Sequence, residues 1–210
     1  MKISFKCTIL FFSAGELYID DHNIDGVTMK YLSIILAVTL LGVCNLFSQD
    51  TSPKQLKVGD PAIDFTLPYA TRDSVSPDDL KLSSLFGKRA IVLAFYPADW
   101  SGGCTKEMCT MRDNFTSLSE LNAEILGISG DYEYSHHEWA KHLNLPIKLV
   151  ADHAHAVAKN YNSYNDAAGY NKRTIYVIDK KGTIAYIDPK YSPRDMESFN
   201  KLQEALKHLQ

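Results

Sequence analysis

The chain has 210 residues, of which 45% are hydrophobic and 22% charged, and its formal net charge is −3. These values are ordinary for a globular protein with one well-formed core. The sequence contains no basic stripe, no internal repeat and no low-complexity tract, which excludes a nucleic-acid partner on electrostatic grounds.

The N-terminal region contains a second methionine, Met29, followed by Lys30 and an apolar run over residues 31–47. A small residue, Ser48, then precedes polar sequence. This pattern predicts a secretory signal peptide over residues 29–48 that is cut near Ser48. Residues 1–28 are then an over-called translation start. The alternative is a genuine N-terminal extension in front of an uncleaved signal anchor.

Cys44 ends the sequence Leu-Gly-Val-Cys, which resembles a bacterial lipoprotein box. Val43 departs from that pattern, because a small residue usually precedes the lipidated cysteine. The prediction is therefore an exported, periplasmic protein. Contact with a membrane is expected only through an uncleaved or lipidated N-terminus.

A polar leader over residues 49–57 precedes a single domain over residues 58–210. Strands are predicted where apolar residues alternate or form a continuous run, over residues 62–67, 90–95, 125–129 and 147–150. A helix is predicted over residues 104–118, where apolar residues recur every three or four positions. A second helix is predicted from a capping box at Ser135 and Glu138 to Leu143, and a third from Asp152 to Tyr161.

A hairpin is predicted over residues 174–178 and 183–187, with Gly182 at its turn. Ser192 and Pro193 then have the residue types of an N-cap and a first helical position, and predict a final helix through Leu209. Alternating strands and helices followed by an antiparallel pair predict an α/β fold, with a mixed central sheet flanked by helices.

The sequence has four cysteines, and two of them, Cys7 and Cys44, lie in segments expected to be absent from the mature chain. The remaining pair, Cys104 and Cys109, is five positions apart, which suggests redox or metal chemistry. Cys104 follows a strand and lies in the first turn of a helix, where unpaired N–H groups and the helix dipole favour a thiolate. The alternative is an inert core thiol.

Ser101 and Pro97 precede this cysteine by three and seven positions. The serine hydroxyl can orient an oxygen-containing substrate at the sulfur, or it can cap the helix. Pro97 has no N–H group and can exclude water from a pocket; the alternative is that it serves only to end the strand.

Residues 95–107 read FYPADWSGGCTKE and resemble the P-x-x-x-[T/S]-x-x-C signature of the peroxiredoxin (AhpC/TSA) family. The similarity extends over roughly residues 56–208 and includes the segments 58–65 (VGDPAIDF), 126–129 (LGIS) and 173–179 (RTIYVID). Cys109 falls where the bacterioferritin-comigratory, or peroxiredoxin Q, branch has its resolving cysteine. Ser101 replaces the commoner threonine, and Gly102 replaces a frequent proline, so a more mobile loop is expected.

The resemblance implies a thioredoxin-like fold and a thiol-dependent peroxidase without a metal or cofactor. Cys104 would be the peroxidatic cysteine that becomes a sulfenic acid, and Cys109 would resolve it as an intramolecular disulfide. Arg173 would be the catalytic arginine, and Glu107 a second-tier residue that orients it. The resemblance further implies hydrogen peroxide and organic hydroperoxides as substrates, thioredoxin or another dithiol as reductant, and a monomer.

The implied disulfide meets a geometric obstacle if both cysteines lie on one intact helix. Five residues of α-helix separate two Cα atoms by about 8.6 Å, from a rise of about 1.5 Å per residue and a radius of about 2.3 Å. A disulfide requires Cα atoms within about 7 Å of each other. The helix must therefore unwind locally before the bridge can form.

Two other functions are compatible with parts of the pattern. A thioredoxin-like disulfide oxidoreductase would share the fold class, but it needs C-x-x-C, and Ser101 occupies the first cysteine position. A copper-carrying module would use C-x-x-x-C with a distant histidine, and the cysteine spacing here differs by one residue. Most of the domain's histidines are expected on the solvated surface, at positions 136, 137, 142, 153 and 155.

Overall fold

The computed structural model describes residues 55–210, which contain the predicted domain. The predictions of a signal peptide, a lipidated Cys44 and an over-called start concern residues outside this part of the chain. Within residues 55–210, none of the helices has the length and apolar character needed to cross a membrane.

Ten strands and five α-helices make up the described part of the chain. The strands are β1 (Thr66–Leu67), β2 (Tyr69–Ala70), β3 (Leu80–Lys81), β4 (Ala90–Phe95), β5 (Ala123–Ser129), β6 (Lys148–Ala151), β7 (Tyr164–Asn165), β8 (Tyr170–Asn171), β9 (Thr174–Ile178) and β10 (Ile184–Asp188). The α-helices are α1 (Gly102–Asp113), α2 (Phe115–Glu120), α3 (Glu133–Leu143), α4 (Ala156–Asn160) and α5 (Met196–Lys207), and a 3-10 helix covers Leu82–Leu85.

Six of the strands form one mixed sheet in the order β10-β9-β4-β5-β6-β2. The pairs β4·β5 and β5·β6 are parallel, whereas β4·β9, β9·β10 and β2·β6 are antiparallel. Helices cover both faces of this sheet, which confirms the predicted α/β class with a mixed central sheet.

Strand β4 lies at the centre of the fold, and all six of its residues are buried. Its alternate side chains enter two different cores because successive strand residues point to opposite faces. Val92 and Ala94 pack in the core that also contains residues of α1, α2, α3 and α5. Ile91 and Leu93 pack on the opposite face, in the core that contains residues of α4 and the 3-10 helix. This burial explains why β4 was predicted with its correct ends.

The predicted helix over residues 104–118 is interrupted at Asn114, where φ is −105° and ψ is 12°. The Asn114 amide donates a hydrogen bond to the Thr110 carbonyl oxygen at 2.8 Å, and such local bonds compete with helix continuation. The apolar face nevertheless continues across the break, since Met111 and Leu118 are both fully buried.

The predicted capping box at Ser135 and Glu138 is wrong. Helix α3 begins two residues earlier, at Glu133, and no side chain caps it. Ser135 lies inside the helix and its hydroxyl donates to the buried carboxylate of Asp99 at 2.8 Å. The helix ends at Leu143 as predicted, and the left-handed residue Asn144 follows it as the C-cap.

The start of the last helix was also predicted wrongly. Helix α5 begins at Met196, and the carboxylate of Asp195 accepts a hydrogen bond from the Glu197 backbone N–H at 2.9 Å. Asp195 is therefore the N-cap in place of Ser192. The predicted strand over residues 62–67 is reduced to β1, and the turn-rich sequence after it contains the unpredicted strands β2 and β3.

Candidate active site

Cys104 is the third residue of α1, directly after the loop that connects this helix to β4. Its side chain is fully buried, and its thiol is free. The predicted position at a strand-to-helix junction is therefore confirmed. There the positive end of the helix dipole faces the sulfur and favours negative charge on it.

Arg173, the residue directly before β9, contacts this sulfur. The pairing of β4 with β9 places Thr174 opposite Phe95, so Arg173 lies at the end of β4 from which the chain enters the Cys104 loop. The Arg173 Nη2 atom donates to Cys104 Sγ at 3.3 Å. A guanidinium at this distance stabilises a thiolate and also any oxyanion that forms beside it.

Gly103 makes this approach possible. A Cβ atom at that position would lie 2.7 Å from Arg173 Nη2, closer than real Cβ atoms come to their neighbours. A side chain at this position would therefore require the Arg173 guanidinium to shift. Gly102 has open space around it and carries no such constraint.

Glu107, one turn further along α1, contacts the same arginine. Its Oε2 atom accepts from Arg173 Nη1 at 2.5 Å, while Oε1 is buried without a hydrogen-bond partner. Burial raises the pKa of Glu107 to about 7, although the positive charge of Arg173 opposes this shift. Near neutral pH the carboxyl group is therefore partly protonated. Glu107 therefore competes with Cys104 for the positive charge of Arg173 only when its carboxyl group is ionised.

Arg173 is itself partly buried between these two groups. Burial lowers the pKa of its guanidinium, but the acidic groups of Glu107 and Cys104 raise it by more, and the net direction is upward. The side chain is therefore a permanent cation at the site.

Ser101 occupies the N-cap position of α1, but its side chain makes no capping hydrogen bond. The hydroxyl instead donates to the Ala98 carbonyl oxygen at 3.2 Å. The alternative that Ser101 serves only as a cap is thus wrong, and its oxygen keeps lone pairs that can accept from a substrate. Pro97 is half-buried and lies two residues after the last residue of β4, Phe95.

Cys109 lies on the same unbroken helix as Cys104 and is partly exposed as a free thiol. The helical separation of about 8.6 Å between the two Cα atoms therefore applies to this structure. The two cysteines cannot form a disulfide while α1 keeps this conformation.

A buried polar network beneath the loop was missed from the sequence. The Asp99 carboxylate accepts hydrogen bonds from Tyr96 Oη at 2.8 Å and Ser135 Oγ at 2.8 Å, and it pairs with His136 Nδ1 at 2.9 Å. His136 was expected on the surface and is fully buried. Burial, and then the charge of Asp99, raises the pKa of Tyr96, so its hydroxyl remains a neutral donor.

This network fixes the loop on the side away from Cys104. The Asp99 backbone N–H also donates to Asp131 Oδ2 at 2.8 Å, and Asp99 O accepts from the Ser101 N–H at 2.7 Å. The only sequence signal was an acidic residue inside the loop motif, because Asp131, Ser135 and His136 lie more than 30 positions from Asp99. Across residues 55–210, no group of three or more His, Cys, Asp or Glu side chains is arranged to hold a metal ion.

The region that contains Cys104 and Arg173 is similar to proteins of one known family. Residues 58–187 match the model of the AhpC/TSA family. The putative peroxiredoxin bcp of Coxiella burnetii is 37% identical over 141 residues, which are 64% of this chain and 89% of that protein. The chloroplastic peroxiredoxin Q of Triticum aestivum is 42% identical over 105 residues, or 50% of this chain, and the match spans only about half of that protein, 48%.

Among solved structures, the peroxidoxin BcpB of Mycobacterium tuberculosis matches 74% of this chain and 99% of its own, with a TM-score of 0.63 and 27% identity. The reduced 2-Cys peroxiredoxin of Plasmodium vivax matches 73% of this chain and 98% of its own, with a TM-score of 0.64 and 26% identity. Both support the thioredoxin-like α/β architecture described above.

The raised pKa of Glu107 makes the stability of the protein depend on pH. The folded chain holds a proton on this carboxyl up to about pH 7, whereas the ordinary pKa of 4.5 applies when it is unfolded. The resulting stabilisation is complete below about pH 4.5 and is lost as the pH rises through 7. We expect the free energy of unfolding of the wild type, relative to Glu107→Gln, to fall by about 3 kcal/mol across this range.

Urea denaturation of both proteins at several pH values measures this difference. Glu120→Gln, at an exposed position on α2, is the matched control and should follow the wild type at every pH. A difference in the free energy of unfolding between wild type and Glu107→Gln that does not change with pH would contradict the raised pKa of Glu107.

Proposed function

The chain belongs to the AhpC/TSA family of peroxiredoxins, which are thiol peroxidases, and we propose that it reduces hydrogen peroxide and organic hydroperoxides at Cys104. The observation that carries the proposal is the hydrogen bond from Arg173 Nη2 to Cys104 Sγ at a helix N-terminus. A cation and a helix dipole together favour the thiolate that attacks peroxide.

In the first step, the Cys104 thiolate attacks one peroxide oxygen and the O–O bond breaks. Cys104 becomes a sulfenic acid, and the other oxygen leaves with a proton as water or an alcohol. Arg173 stabilises the charge that moves from sulfur to the departing oxygen. The Ser101 hydroxyl orients the peroxide, and Pro97 keeps water from the sulfur.

In the second step, the Cys109 thiolate attacks the sulfenic sulfur, and the oxygen leaves as water. The product is a Cys104–Cys109 disulfide, whose formation requires α1 to open between these residues. A dithiol then reduces the disulfide to two thiols and is itself oxidised. Glu107 acts through Arg173, because its carboxylate contacts the guanidinium rather than the sulfur.

We further propose a thioredoxin-type protein as the dithiol and a monomer as the active form. The proposed location is the periplasm, reached through a signal peptide that begins at Met29. The mass of the mature N-terminus tests this proposal, since a chain that begins after Ser48 is expected. A chain that retains residue 1, or one lipidated at Cys44, would contradict cleavage near Ser48. Light scattering from the purified domain tests the monomer.

Substitution of the two cysteines should separate the two steps. We expect Cys104→Ser to abolish peroxide consumption, because the attacking sulfur is removed. Cys109→Ser should still reduce one equivalent of peroxide per chain but should form no intramolecular disulfide. Peroxide consumption in the presence of dithiothreitol, and the single turnover without it, measure both effects.

The wild type and a double variant with both serines provide the upper and lower limits of this assay. Peroxide consumption by Cys104→Ser at the wild-type rate would contradict the proposed function. Reduction of disulfides without any peroxidase activity would instead favour the thioredoxin-like oxidoreductase.

The disulfide should form only with loss of helix around both cysteines. Because helical Cα atoms five residues apart are separated by about 8.6 Å, we expect the amide hydrogens of residues 104–109 to lose their protection on oxidation. Hydrogen exchange with mass spectrometry measures this change, and helix α5 serves as an internal control. Unchanged protection over residues 104–109 in a fully oxidised sample would contradict the predicted opening.

A further inference from the structure

We propose that an exposed surface beside Cys109 is the docking site for the dithiol protein that reduces the Cys104–Cys109 disulfide. The surface consists of Trp100, His142, Arg112 and Cys109, and is called the Trp100 surface below. The inference rests on the proposed function, because it needs a disulfide to be reduced. It adds the place at which the reductant binds and the sulfur that it attacks.

Trp100 is the most unusual residue of this surface. Its side chain is 54% exposed, although an indole gains most from burial. Its φ angle of +60° lies in the left-handed region that non-glycine residues seldom adopt. The chain therefore keeps a large aromatic ring in solvent, on a backbone conformation that does not favour it, four residues before Cys104.

The indole is nevertheless held in place. Its Nε1 atom donates to Ser135 Oγ at 3.4 Å, and its ring lies against the His142 ring with 5.5 Å between centroids. Ser135 is in turn fixed by its hydrogen bond to Asp99. A rigid aromatic side chain loses little entropy on binding, and such residues are typical anchors of protein interfaces.

A short series of contacts connects Trp100 to Cys109. His142 is followed by Leu143, whose carbonyl oxygen accepts from Arg112 Nη1 at 2.7 Å. Arg112 lies on α1 three residues after Cys109, so the two residues are neighbours on one face of the helix. The end of α3 thus brings the indole and the resolving cysteine onto one continuous surface.

Of the two sulfurs in the disulfide, Cys109 is the one that the reductant attacks, because it is more exposed and because Cys104 is the better leaving group. Cys104 is fully buried in the reduced form, whereas Cys109 is partly exposed. When a thiolate of the dithiol attacks Cys109 Sγ, the bond to Cys104 breaks and Cys104 leaves as a thiolate. Arg173 stabilises that leaving group, and a stabilised thiolate leaves faster.

The remaining step balances the reaction. The second thiol of the reductant attacks the mixed disulfide and releases Cys109 as a thiolate. The two protons of the reductant's thiols are transferred to Cys104 and Cys109. The occupant that fits is a small protein with a dithiol in an apolar rim that can pack against the indole.

The test uses the full chain, oxidised to the disulfide with one equivalent of hydrogen peroxide, and compares reduction by a thioredoxin with reduction by dithiothreitol. We expect Trp100→Ala to lower kcat/KM for the thioredoxin by about tenfold or more, because an aromatic anchor that the complex would bury is lost. His142→Ala should lower it by a smaller factor. Tyr170→Ala, which removes another exposed aromatic ring, is the matched control and should match the wild type. All variants should react with dithiothreitol at the wild-type rate.

Three outcomes would overturn the docking site. One is an unchanged thioredoxin rate in Trp100→Ala, and another is an equal loss with dithiothreitol, which would indicate damage to the loop. The third is self-association that Trp100→Ala abolishes while the thioredoxin rate stays the same, which would assign the surface to a second copy of the chain. Failure of the wild type to consume peroxide would instead overturn the proposed function and the docking site together.

Discussion

The contact between the Arg173 guanidinium and the Cys104 sulfur is the interaction on which the rest of the site depends. Three independent parts of the fold are needed to make it. The antiparallel register of β4 and β9 places Arg173 beside the loop, α1 directs its N-terminus at the sulfur, and Gly103 leaves room for the guanidinium. A change in any of these would separate a permanent cation from the one thiol that needs it.

The two ends of the Cys104 loop are stabilised to very different degrees. On the side of β4, the buried Asp99 carboxylate is fully satisfied by donors from Tyr96, Ser135 and His136. On the side of α1, two glycines begin the helix, and the buried Glu107 pairs with Arg173 through one oxygen but leaves the other unpaired, which costs stability. The fold therefore anchors the residues before Cys104 while the helix after it can open towards Cys109.

Much of this could be predicted from the sequence because it depends on local patterns. The continuous apolar run over residues 90–95 predicted both ends of β4 correctly. The order of strand, glycines and helix predicted that Cys104 lies in the first turn of a helix. The role of Arg173 came only from the resemblance, since a single arginine before a strand has no distinctive local pattern. His136 was misplaced because its partner Asp99 lies 37 positions away, and no periodicity reports a buried polar pair of that kind. No sequence pattern indicates a role for Trp100, because its left-handed backbone and its exposure are visible only in three dimensions.

The most direct test of the account is the covalent state of Cys104 after one equivalent of hydrogen peroxide. Rapid quenching and mass spectrometry of the full chain should find Cys104 as a sulfenic acid in Cys109→Ser, detected as its covalent adduct with a sulfenic-acid reagent. In the wild type, the peptides that contain Cys104 and Cys109 should instead be joined through a disulfide. Peroxide that leaves Cys104 unmodified in both proteins, or that oxidises Cys109 first, would contradict the account.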